Sequence, residues 1–111
     1  MAILSLLNQA SGPLPLSATF TAPSDAPACL VLSGSVWSQA ANQIIGVTLE
    51  LDGVPIGAAS ICSNGAATHR AVVTSNMPVT LTFGSHTISL LPSNGSTISD
   101  QNDFFEVVLQ Y

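Results

Sequence analysis

The chain has 111 residues and a formal net charge of −5, and charged residues make up 6% of it, with Arg70 as the single base. Ordinary domains are about one quarter charged, and binding to phosphates requires several cations, so this composition argues against nucleic acid as a partner. The length predicts a single domain over residues 1–111 that removes about two thirds of its unfolded surface from water.

The composition also predicts self-association. Hydrophobic residues form 47% of the chain and the mean hydropathy is +0.51, which is typical of an ordered domain. A small monomer with so few charges exposes apolar patches, and burial between copies removes those patches from water. We therefore expect a homo-oligomer. The alternative is a monomer whose surface is polar without being charged, through Ser, Thr, Asn and Gln.

The chain begins with a short apolar run, residues 1–10, which has no basic segment before it and is too short to span a bilayer. We interpret this run as the first strand. No other run approaches the length of a membrane helix, so we expect no membrane insertion and a cytoplasmic or particle-associated protein.

The rest of the chain lacks helical periodicity, whereas alternation and β-branched residues recur between Gly, Pro, Asn and Ser. This spacing predicts an all-β fold, a two-sheet antiparallel sandwich of the jelly-roll kind with about nine strands. Asp52-Gly53 is the clearest hairpin signal. The predicted strands cover residues 2–7, 17–21, 28–36, 44–51, 54–61, 69–74, 78–83, 86–91 and 103–110.

The last of these strands is apolar on both faces. Phe105, Val107 and Leu109 share one face, while Phe104 and Val108 lie on the other beside polar residues. A strand of this kind is either central in its sheet under a loop or part of a subunit interface. We expect Phe104 and Val108 to lie in a subunit interface.

Counting antiparallel strands from residue 28 assigns each connection to one of two ends of the sandwich. We call them the Asp52 end and the Trp37 end. The count places the loop 92–102 at the Asp52 end, and it places His69, Arg70 and His86 at the Trp37 end. It also separates Cys29 from Cys62.

Two candidate sites follow from this count. At the Trp37 end, Trp37 offers a flat face to a sugar ring and Arg70 a bidentate fork, so these residues with His69 and His86 form a candidate lectin-like cleft. The alternative is that each has a structural role, with Trp37 a core anchor, Arg70 the partner of a carboxylate and each histidine a polar residue at a strand end.

At the Asp52 end, Asp100, Asn102 and Asp103 with Asp52 supply the oxygen ligands that calcium prefers. The alternative is the turn that starts the last strand, because Asp and Asn bond their own backbone. No other cofactor is indicated.

The cysteines lie about 25 Å apart by this count, whereas a disulfide requires Cα atoms within about 7 Å. We expect two free thiols. No G-x-S-x-G motif appears, and the members of a catalytic triad would have to come from opposite ends of the sandwich. We therefore expect the protein not to be an enzyme.

The second half of the chain resembles a known group of modules. The phrases L-D-G-V-P-I-G, T-H-R-A-V-V, F-G-S-H-T-I-S-L and S-D-Q-N-D-F-F-E-V-V-L resemble small bacterial and phage-borne jelly-roll modules, of the broad kind that includes tumour-necrosis-factor and C1q-like folds. The resemblance implies a terminal strand near a trimer axis and a self-associating structural or protein-interaction module. The alternative function is a lectin-like carbohydrate-binding protein.

Overall fold

The computed structural model describes residues 2–111, and these residues form nine β-strands and no helix. The alternating and β-branched segments recognised in the sequence account for them. The strands are β1 (Ile3–Ser11), β2 (Leu16–Ala22), β3 (Ala26–Val36), β4 (Gln43–Leu51), β5 (Val54–Ser63), β6 (Arg70–Ala71), β7 (Ser75–Leu81), β8 (Gly84–Pro92) and β9 (Phe104–Gln110).

The strands pair antiparallel in two sheets. In the five-stranded sheet β9 lies between β1 and β3, and both β6 and β7 pair with the other side of β3. The four-stranded sheet has the order β2-β8-β4-β5. This confirms the predicted two-sheet antiparallel sandwich and shows that the last strand is central in its sheet.

The core lies between the two sheets and is formed by the inward residues of each strand. Because side chains alternate across a strand, every second residue reaches the core. Full burial of one such aliphatic side chain stabilises the fold by about 1.5–3 kcal/mol. The five-stranded sheet contributes the fully buried Leu30, Leu32, Phe105, Val107 and Leu109, and the four-stranded sheet contributes Ile45, Val47, Leu49, Ile88 and Leu90.

Gly34 lies directly under the ring of Phe105, its partner across β3 and β9. A Cβ atom at residue 34 would lie 2.4 Å from Cδ1 of Phe105. The close approach of strand and ring therefore requires glycine at this position.

The hairpin between β4 and β5 is formed as predicted. Leu51 pairs with Val54, and the two residues between them have φ values of 51° at Asp52 and 82° at Gly53. Positive φ at both central residues is the signature of a type I′ turn, which matches the twist of the flanking strands.

One predicted strand is wrong, and it changes the assignment of ends. Residues 69–74 were expected to cross the sandwich alone, yet β6 and β7 run in the same direction along β3, with Ala71 opposite Ser35 and Ser75 opposite Leu32. They form a single crossing with a one-residue shift in register. Every connection after residue 75 therefore lies at the opposite end from the one that the count predicted.

Cys29 and Cys62 are free thiols, as predicted. Cys29 lies in β3 of the five-stranded sheet and Cys62 in β5 of the four-stranded sheet. Within residues 2–111, no helix has the length and apolar character needed to cross a membrane.

Candidate functional site at the Trp37 end

Asp103 is the buried centre of a polar cluster immediately before β9. Its side chain is fully buried; Oδ1 accepts a hydrogen bond from the Ser35 hydroxyl at 2.7 Å, and Oδ2 accepts one from the Asp100 amide at 2.9 Å. The Asp103 amide donates to the Asp100 carbonyl at 3.0 Å. These bonds form the turn that starts the last strand, which was the alternative interpretation of this segment.

His69 contacts Asp103 from the residue before β6. Its Nδ1 atom lies 2.7 Å from Oδ1 of Asp103, and its Nε2 atom lies 3.8 Å from Oδ2 of Asp100, with the two side chains 40% and 33% exposed. The hydrogen bond to Asp103 raises the pKa of His69 above its ordinary value; burial opposes this shift, and the charges of Asp103 and Asp100 add to it. The cluster therefore has a buried carboxylate behind the imidazole and an accessible one in front.

Trp37 lies beside this histidine. The two rings are 5.8 Å apart between centroids and inclined by 39°, and the Trp37 backbone forms paired hydrogen bonds with Ile98. The indole Nε1 atom is buried with no hydrogen-bond acceptor among the described residues. Arg70 follows His69 in β6 and pairs with Val36. The rings of Trp37 and His69 are thus neighbours, while the structure shows Arg70 only as the backbone partner of Val36.

His86, the fourth predicted member of the cleft, lies at the Asp52 end instead. Its Nδ1 atom is 2.6 Å from Oδ2 of Asp52, and its Nε2 atom is 2.7 Å from the Thr82 carbonyl. Both neighbours are acceptors, so the doubly protonated ring satisfies both contacts. The hydrogen bond to Asp52, together with that to Thr82, raises the pKa of His86. The predicted grouping of His86 with Trp37 is wrong because β8 begins at the other end of the sandwich.

The predicted oxygen cluster is also divided by the structure. Asp52 lies with His86, and the hydrogen bond from His86, followed by that from the Thr87 amide, lowers the pKa of Asp52. Asp100 and Asp103 are instead close to His69, and one ligand atom from each of these three residues lies within 4.8 Å of the others. The exposed Asn102 donates its backbone N–H to Asp100 Oδ1 at 2.8 Å.

Sequence reasoning missed the contact between His69 and Asp103. Neither residue has a local signal that points to the other, because they are separated by 34 positions. The only sequence signal is the number of times the chain crosses the sandwich between these two residues. The sequence predicts one crossing too many, because β6 and β7 form a single crossing along β3.

The second candidate surface is the outward side of the five-stranded sheet, which we call the β9 face. Phe104 is 52% and Ile3 66% exposed, and Val108 is half-buried. A groove of about 510 Å³, where the central strand β3 begins and β9 ends, is lined by Pro27, Ala28, Cys29, Gln110 and Tyr111. The register places on this face Ile3 and Ser5 of β1, Phe104, Glu106, Val108 and Gln110 of β9, and Cys29, Val31 and Ser33 of β3.

Comparison with known proteins shows similarity in fold. No protein-family model matches the chain, and no curated protein matches it by sequence. Among solved structures, the tripod from the baseplate of bacteriophage Tuc2009 is similar with a TM-score of 0.60 and 21% identity, over 97% of this chain and 62% of that one.

Two further structures come from bacteria. A family 35 carbohydrate-binding module from Clostridium thermocellum is similar with a TM-score of 0.55 and 12% identity, over 97% of this chain and 89% of that one. Dimeric latent PorU from Porphyromonas gingivalis gives a TM-score of 0.60 and 10% identity over 97% of this chain, but the chain spans only 12% of PorU. These similarities support a jelly-roll β-sandwich module, and the narrower resemblance to tumour-necrosis-factor and C1q-like folds stays a prediction.

Proposed function

We propose that the protein is a non-catalytic β-sandwich module that assembles with copies of itself, as a trimer, through the β9 face. The observation that carries this proposal is the composition of that face. Among its residues on β1, β9 and β3, Glu106 is the only charged side chain, and Phe104 and Ile3 are more than half exposed. A face with so little charge and large exposed apolar side chains is typical of the centre of a subunit interface.

The outward side of the four-stranded sheet, the β8 face, exposes Ile44 of β4 (67%) but is polar along strands β2 and β8. Across β2 and β8 it presents Ser and Thr residues that pair with one another, with the hydroxyl oxygens of Ser17 and Ser89 3.2 Å apart and those of Thr19 and Thr87 3.4 Å apart. Hydroxyl groups are well hydrated, and Glu50, opposite Ser89, adds one charge to this face. The contrast between the hydroxyl-bearing strands β2 and β8 and the more apolar strand β9 supports the β9 face as the interface.

The proposal is tested by Val108→Glu on the β9 face, with Thr21→Glu as the matched control. Thr21 is exposed at the end of β2 on the β8 face, so both variants add one negative charge. Size exclusion coupled to light scattering should show a trimer for the unaltered chain and for Thr21→Glu, and a monomer for Val108→Glu. A Val108→Glu variant that keeps the mass of the unaltered oligomer would contradict the proposed interface.

A second function, lectin-like carbohydrate binding, is favoured by one arrangement at the Trp37 end. The ring of Trp37 lies beside that of His69, with Arg70 next in the chain, and an aromatic face next to hydrogen-bond donors suits a sugar ring. The similarity in fold to a carbohydrate-binding module supports this alternative. A glycan array should then show binding that Trp37→Ala abolishes and Phe104→Ala retains, while no signal on a broad array would reject it.

A further inference from the structure

Two potential ligand atoms at the Trp37 end face each other without a hydrogen bond. His69 Nε2 and Asp100 Oδ2 are 3.8 Å apart, which is too long for a hydrogen bond. The other carboxylate oxygens of the cluster have donors: Asp103 Oδ1 has Ser35 and His69, Asp103 Oδ2 has the Asp100 amide, and Asp100 Oδ1 has the Asn102 amide. The unused pair is also the accessible part of the cluster.

We propose that His69 Nε2 and Asp100 Oδ2 together bind a divalent first-row transition metal ion such as Zn²⁺. Zinc takes histidine nitrogen and carboxylate oxygen at about 2.0–2.2 Å, and the tetrahedral angle then separates the two ligand atoms by about 3.4 Å. The observed 3.8 Å therefore needs to close by about 0.4 Å. A rotation of the partly exposed Asp100 side chain provides this movement, and water or a bound molecule completes the coordination.

Asp103 acts as the positioning residue for this metal site. Its buried carboxylate accepts a hydrogen bond from Nδ1 of His69 at 2.7 Å, which fixes the proton on that nitrogen when the ring is neutral. The lone pair of Nε2, 3.8 Å from Asp100 Oδ2, is then free to bind the metal. A carboxylate behind a metal-binding histidine orients the ring and increases its basicity.

The ligand set favours a transition metal over the calcium that the sequence suggested. Calcium takes six to eight oxygen ligands, whereas imidazole nitrogen suits zinc, copper and nickel. Asp52, which would have supplied a further oxygen, lies at the other end of the sandwich with His86. The proposed metal site is formed within one chain and depends neither on self-association nor on glycan binding.

The chain contains an internal control, because it has only two histidines. Both ring nitrogens of His86 are already engaged, so only His69 offers a free nitrogen. Nuclear magnetic resonance of the imidazole nitrogens of the untagged protein, titrated with zinc at mildly alkaline pH, should shift His69 Nε2 to saturation and leave His86 unmoved. Calcium should move neither. A zinc titration that leaves His69 unmoved, or that shifts both histidines alike, would overturn the proposal.

Two variants separate the ligand from the positioning residue. Asp100→Asn keeps an acceptor for the Asn102 amide but removes the anionic ligand, and it should weaken zinc binding at least tenfold. Asp103→Asn should weaken it about 10–100-fold. Because Asp103 is buried and that variant risks misfolding, Asp100→Asn is decisive: unchanged zinc affinity in this variant would refute the assigned ligand pair.

Discussion

The contact between Gly34 and Phe105 gives a quantitative test of the packing across β3 and β9. In Gly34→Ala the new Cβ would lie 2.4 Å from Cδ1 and 3.0 Å from Cε1 of Phe105, and 3.2 Å from the Phe104 carbonyl oxygen. Ordinary carbon–carbon contacts are about 3.5–4.0 Å. The ring or the strand would therefore have to move by about 1 Å.

Neither group is free to make this movement. The Phe105 ring is fully buried, and β3 is held by β9 on one side and by the Val72 amide, which donates to the Gly34 carbonyl at 2.9 Å, on the other. Overpacking of this kind costs about 1–3 kcal/mol, and the upper end applies because the overlap is severe. Removing glycine from a strand returns about 0.5–1 kcal/mol. The net loss of unfolding free energy is then about 2 kcal/mol, or about 8 °C in Tm.

Urea unfolding followed by the fluorescence of Trp37, the only tryptophan, measures this loss. Gly95→Ala is the matched control, because no atom lies within 4 Å of the Cβ that it adds, and its unfolding free energy should equal that of the unaltered chain or exceed it by up to about 1 kcal/mol. Equal unfolding free energies for Gly34→Ala and Gly95→Ala would refute the close contact between Gly34 and Phe105.

Three further predictions concern polar groups and thiols. His86→Gln should reduce the unfolding free energy most between about pH 4 and 6.5. Because folding raises the pKa of His86, the stability that its charged ring contributes is lost as the pH rises through this raised pKa. Because folding lowers the pKa of Asp52, the stability that its carboxylate contributes is lost as the pH falls through this lowered pKa. Urea titrations across pH measure this window, and a pH-independent loss would contradict the pair. Asp103→Ala leaves the Ser35 hydroxyl and the Asp100 amide without their acceptor and should cost at least about 2–3 kcal/mol of unfolding free energy; a loss below about 1 kcal/mol in the same titration would count against its central role. Alkylation followed by mass spectrometry should modify the exposed Cys62 faster than the half-buried Cys29 and leave both modified once the chain unfolds, while a bridge between them would contradict the structure.

The strands and most turns of this fold were predictable from the sequence because their signals are local. Apolar alternation places β4, and Asp52-Gly53 imposes the positive φ values that a tight hairpin needs. The terminal strand was also identified from its two apolar faces. The face with Phe105, Val107 and Leu109 is apolar because it packs in the core, whereas Phe104 on the outward face is 52% exposed.

The arrangement of the ends was not predictable, because it depends on backbone partners far away in the chain. Residues 69–74 end in the β-branched run Val72, Val73 and Thr74, which is typical of a strand. In the structure the Val72 amide donates to Gly34 in β3, and the next amide, of Val73, donates to Ser60 in β5. Neither bond has a sequence signature, yet together they interrupt the strand and join β6 to β7 in one crossing. The pairings of His69 with Asp103 and of His86 with Asp52 follow from that crossing.

Sedimentation of the unaltered, untagged protein over a range of micromolar concentrations tests the proposed self-association most directly. A β9 face with one charged residue and an exposed Phe104 predicts an oligomer that dissociates only on dilution, and the proposed trimer sets its expected mass. A monomer throughout this range would contradict assembly through the β9 face.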